Sequence, residues 1–106
     1  MSQKPPKAYE EFVERYPKLG AAWDLLREGG RDAGSLDDQT IALIKLGVAI
    51  GAQRQGATHS AVRKAVSAGI GQAEIEQVVA LAASTIGLPP AVAAFTWLQD
   101  VLRQRD

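Results

Sequence analysis

Two stop signals constrain the second half of this chain more than any other feature. Ala61, Val62, Ala65 and Ala68 recur at helical spacing and run into Gly69-Ile70. Ile75, Val78, Val79, Ala82 and Ile86 do the same and run into Gly87-Leu88-Pro89-Pro90. A glycine after an apolar helical stripe takes the left-handed backbone that ends a helix, and the apolar residue after it closes back on the last turn. The chain between these stops is therefore expected to be helical. Gly71 is the expected N-cap of the fifth helix, with Glu74 in its first turn, where a carboxylate meets the positive end of the dipole. Beyond Pro90 a sixth helix is expected to carry Val92, Phe95, Leu98, Val101 and Leu102 on one side. Trp97 falls off that stripe and is expected to be either exposed or covered by a partner chain. The last residues, 103–106, are expected to fray.

The first half yields to the same reading. Residues 1–5 are expected to form a flexible tail, with Pro6 at the first position of a helix whose apolar face is Tyr9, Phe12, Val13 and Tyr16. Pro17 ends or kinks it. A second helix is expected over Pro17–Glu28, stopped by Gly29-Gly30 and followed by a loop to Gly34, with Trp23 in the core. Ser35 is expected to cap the third helix, with Asp37 and Asp38 in its first turn. Ile41, Leu43, Ile44, Leu46, Val48 and Ile50 then place apolar side chains almost all round, interrupted by Lys45. A helix like that must be buried on most sides. A chain of 106 residues has little mass with which to enclose one, so burial between protomers is expected, and with it a homo-oligomer. Gly47 would admit a close neighbour. Gly51–Gly56 is either a break or a kinked continuation, and the fourth helix runs from there to about Ala68. No alternating strand pattern occurs. The expected fold class is all-α, with about six helices in a single domain over residues 6–106, the last four forming two hairpins packed on each other.

Composition removes several function classes. Twelve basic residues balance twelve acidic ones, so there is no charge footprint for nucleic acid. The chain has no cysteine, which excludes disulfides, thiol nucleophiles, thiolate metal sites and redox pairs. No apolar run is long enough for a bilayer span and no signal-peptide pattern opens the chain, so no membrane partner and a cytoplasmic location are expected. A single histidine argues against a transition-metal site, and no phosphate-binding glycine loop is present, so no cofactor is expected.

That histidine, His59, is the candidate catalytic residue. It sits at the rim of the fourth helix's stripe, where it serves either as a hydrogen-bonded or exposed surface group or as a general acid/base. Arg63, four residues on, lies on the same face and can hold an anion bidentately or simply carry solvated charge. Arg54 and Gln55 precede the helix. Asp37-Asp38 and Glu74 are better explained by helix starts than by catalysis. Ser60 beside His59 points elsewhere on the helix and makes no nucleophile pair.

The run from His59 to Pro89, HSAVRKAVSAGIGQAEIEQVVALAASTIGLP, resembles the carboxymuconolactone decarboxylase family, which includes the alkyl hydroperoxidase D-like proteins. The preceding LDDQTIALIKLGVAI resembles that family's buried helix, so the resemblance covers roughly residues 35–100. It implies an all-helical fold that assembles into trimers or hexamers, with a site beside the histidine. Peroxidase-like members carry two cysteines ahead of that histidine; the matching positions here are Ala52 and Gln55. Their relay glutamate would fall near Thr40 or Ala42, where this chain has no acid. Of the family's residues only His59 carries over. The resemblance implies a cysteine-independent decarboxylase or lyase rather than a thiol peroxidase, with His59 as the acid/base. Arg63, Arg54 and Gln55 would then bind a small acidic or carbonyl compound. The alternative is a binding or assembly module that keeps the fold without the chemistry. An empty, polar, solvent-reachable cavity lined by His59 favours the enzyme; a histidine packed dry or bonded into a subunit contact favours the module.

Overall fold

Proline and glycine set the helix boundaries, though not always where spacing puts them. The computed structural model describes residues 7–104, which form six α-helices: α1 (Lys7–Arg15), α2 (Pro17–Asp32), α3 (Asp38–Gly51), α4 (Gln55–Ser67), α5 (Gln72–Ile86) and α6 (Leu88–Leu102). The expected tail, the placement of Pro6 and the end of the chain lie outside the described residues. No strand occurs among the described residues. The chain divides at Asp37/Asp38 into two compact units, α1–α2 and α3–α6.

In the first unit, Pro17 opens α2 directly after the Tyr16 corner, and Tyr16 N–H still donates to Phe12 O at 2.8 Å. The Phe12 and Tyr16 rings meet with centroids 5.0 Å apart. Gly20 lets the two helices close: a Cβ there would come within 3.1 Å of the Val13 Cβ. The stop expected at Gly29-Gly30 is not one. The helix continues to Asp32, and Ala33 N–H caps back to Gly30 O. Glycine weakens a helix by about 1 kcal/mol per residue but keeps its N–H, so it permits continuation where proline would not. Arg27, bonded to Asp24 at 2.6 Å, and Arg31 in the last turn both favour the longer helix. Trp23 is not core: it is 47% exposed, and neither α1 nor α2 has a buried residue.

In the second unit, α3 begins at Asp38 rather than after Ser35. Asp37 stands at the cap position, and aspartate suits that place as well as serine does. The α3–α4 junction is a true break, with Gln53 at φ 55. That left-handed residue is held by its own side chain, whose Nε2 donates to Ile50 O at 2.9 Å and to Pro90 O at 3.3 Å. Gly69 (φ 84) ends α4 as spacing predicts, with Ile70 N–H donating to Ala65 O at 3.1 Å and Ile70 buried. Gly71 caps α5, its N–H facing Glu74 Oε1 at 3.4 Å. Gly87 (φ 90) is the lone residue between α5 and α6, and Pro89 and Pro90 fall in the first turn of α6.

The α3–α4 and α5–α6 hairpins pack on each other, α4 against α6 and α3 against α5. Leu46, Ile50, Val62, Ala65, Ile75 and Leu98 form the centre of the core. A single chain leaves α3 partly open, as its size implies, whereas the expected face of α6 needs correction. Only Leu46, Ala49 and Ile50 of α3 are buried, while Ile44 and Val48 are exposed, so within one chain this helix is covered on one side only. On α6 the buried stripe is Ala91, Ala94, Leu98, Val101 and Leu102, while Val92 and Phe95 are exposed. Alanines let α6 approach its neighbours closely, and this turns the helix so that the larger Val92 and Phe95 face outward and Trp97 packs against the core. No helix among the described residues is long and apolar enough to cross a membrane.

Candidate functional site

The fourth helix turns Thr58, Ala61, Val62 and Ala65 into the core. Its neighbouring face carries Gln55, His59 and Arg63 at four-residue intervals, so these three lie one above the other. Gln55 is exposed in the first turn, and Arg54 is exposed at the N-cap position just before it. His59 and Arg63 are half-buried. The structure therefore places three of the four expected residues along one line, and Arg54 at its head.

His59 is bonded across the helix pair. Its Nε2 lies 3.0 Å from Asp100 Oδ2 on α6. The His59 side chain is 25% exposed and that of Asp100 51%, so the pair is reachable by solvent rather than packed dry. Asp100 is a partner of His59 that spacing alone did not single out. It is separated from His59 by 41 positions, and only the packing of α4 on α6 joins them. The available signal was an acid set between Leu98 and Val101 on a strongly apolar helix. Among the described residues Arg63 makes no hydrogen bond or ion pair, which leaves its guanidinium available to an anion.

A second polar knot ties α5 to α6. Glu76 Oε2 accepts from Gln99 Nε2 at 2.8 Å and from Gln72 Nε2 at 3.2 Å, and Gln99 is buried. The hydroxyl of Thr58, the residue before His59, is fully buried and has no partner among the described residues. At the positions where a relay acid was sought, Thr40 is half-buried and Ala42 packs against the core. No group of His, Cys, Asp or Glu among the described residues could hold a metal ion.

The model of the carboxymuconolactone decarboxylase family matches residues 17–100. The chain belongs to that family. The match starts at the first residue of α2, well before the resemblance beginning near residue 35, and runs to Asp100 on α6. No curated protein and no solved structure matches the chain. As a carboxymuconolactone decarboxylase family member it is all-helical, and it is cysteine-free, so any chemistry at His59 proceeds without a thiol.

Proposed function

We propose that this family member binds a small acidic or carbonyl compound beside His59 and transfers a proton to or from it, in a decarboxylase or lyase reaction. The observation that carries this reading is Arg63: a half-buried arginine, without a hydrogen bond or ion pair among the described residues, one helical turn from the protein's single histidine. Arg63 would hold the carboxylate, with Gln55 and Arg54 closing the other end of the line. His59 would then act on the atoms next to that carboxylate, within the solvent-reachable setting it shares with Asp100.

Self-association belongs to the same proposal. Ile44 and Val48 of α3, and Val92 and Phe95 of α6, are large apolar groups that a single chain leaves uncovered. A second copy would cover them as a trimer or hexamer forms.

The test is a thermal-shift screen of lactones, dicarboxylates and carbonyl acids against wild type and His59→Ala. A ligand at 100 times its Kd stabilises the folded state by about 2.7 kcal/mol. A compound that raises the melting temperature of wild type and not of His59→Ala supports the site, and its turnover is then assayed. If no compound shifts wild type while His59→Ala melts lower or changes oligomeric state, the protein is a binding or assembly module instead.

A further inference from the structure

The hydrogen bond between α4 and α6 carries more than a helix contact, because it is directional. A carboxylate oxygen only accepts, so the ring nitrogen facing Asp100 Oδ2 at 3.0 Å must be the one that carries hydrogen. That nitrogen is Nε2. A neutral imidazole holds one N–H, so Nδ1 keeps its lone pair. Among the described residues Nδ1 has no hydrogen-bond partner, although the His59 side chain is 25% exposed.

We propose that Asp100 is the positioning residue of this site, fixing His59 as its Nε2–H tautomer so that Nδ1 is the atom that exchanges a proton with substrate. This rests on the reading of His59 as an acid/base. In the transfer step a C–H or O–H bond of the substrate breaks, its electron pair stays on the substrate, and the proton bonds to Nδ1. The ring then holds two N–H groups. The Nε2 proton stays on the Asp100 side, where the carboxylate faces the charge the ring has gained. Return of the Nδ1 proton to product restores the neutral ring. The same bond sets the ring plane, since an imidazole tied to α6 at Nε2 cannot swing freely about its own helix. The arrangement follows the general logic of a carboxylate orienting a histidine base.

Composition makes the proposal directly testable. The chain has one histidine and no cysteine, so iodoacetamide meets no thiol and only one imidazole. The folded protein is alkylated and hydrolysed, and the two carboxymethylhistidine isomers are separated. In wild type, Nδ1 alkylation is expected to exceed Nε2 alkylation by about tenfold, as a charge-assisted hydrogen bond shields Nε2. Asp100→Ala is expected to move the adduct to Nε2, the less hindered nitrogen of an unrestrained ring. Asp100→Asn can turn its amide N–H toward Nε2 and so favour the Nδ1–H tautomer, and is expected to lower Nδ1 selectivity. Helical circular dichroism verifies that each variant is folded; should Asp100→Ala unfold, wild type and Asp100→Asn still decide. Alkylation of wild type at Nε2, no alkylation of folded wild type, or an unchanged isomer ratio in folded Asp100→Ala overturns the proposal. The chemistry needs no substrate. A failed ligand screen therefore removes the proposed function and leaves this result standing, and an Nε2 adduct does the reverse.

Discussion

His59 on α4 and Asp100 on α6 share a 3.0 Å hydrogen bond across 41 positions of sequence, and Arg63 stands one turn further along α4 without such a partner. One cation is thus committed to nothing in the fold, while its neighbour is committed to an acid. Their substitutions should separate accordingly.

Arg63→Ala is expected to weaken binding of a carboxylate ligand by roughly ten- to a hundredfold, the worth of a hydrogen bond to a charged group. It should change stability by less than about 0.5 kcal/mol, as for a side chain that holds no structural bond. Calorimetric titration and urea unfolding measure the two quantities separately. A large loss of stability would mean that Arg63 supports the fold.

Thr58→Val removes a fully buried hydroxyl that has no partner among the described residues and keeps the shape of the side chain. An unsatisfied buried polar group is unfavourable by about 1–3 kcal/mol, so the substitution is expected to stabilise, by about 1 kcal/mol. Destabilisation in urea unfolding would show that the hydroxyl has a partner in solution.

Gly69→Ala is expected to lose about 1–2 kcal/mol through backbone strain alone. The φ of 84° is unfavourable to any Cβ, yet the nearest atom a Cβ would meet is Gln39 Nε2 at 3.7 Å, an ordinary contact. Gln39 Nε2 also donates to Ala68 O at 3.1 Å and so braces the same turn. Gly69→Asn, which tolerates the left-handed region better, should recover part of the loss in the same unfolding experiment.

Ile44→Asp is expected to shift the protein toward monomer in sedimentation velocity while leaving its helical content intact. Ile44 is 48% exposed on a side of α3 that makes no core contact. Unfolding of the variant, or an unchanged assembly, would count against α3 as the association face.

Most helix ends were legible because they depend on local chemistry. Gly69 and Gly71 act within their own turns, and each does what its position in the pattern implies. Gly87 does end α5, but Leu88 is exposed and opens α6 instead of closing back, so the sixth helix starts two residues before Pro90. Gly29-Gly30 misled because glycine only permits a stop, and nothing after it forces one before Asp32. The faces of α3 and α6 were less legible. Both helices have apolar residues on more sides than one chain can cover, so which side turns inward depends on close approach by Ala91 and Ala94 rather than on hydrophobicity. For the site, the α4 residues were visible by spacing. Asp100 was not, because a partner on a distant helix leaves no periodic trace.

The side chain of Gln53 reaches from the α3–α4 break to the carbonyl of Pro90 in the first turn of α6. It works as a clasp between the beginnings of the two helices that carry His59 and Asp100. Sliding α4 along α6 by one turn would open this clasp and part the histidine from its acid together. A change at a single loop residue can therefore detune the pair without touching either member. Divergence of chemistry between relatives of this fold could begin at such a joint, well before any residue that meets the ligand is exchanged.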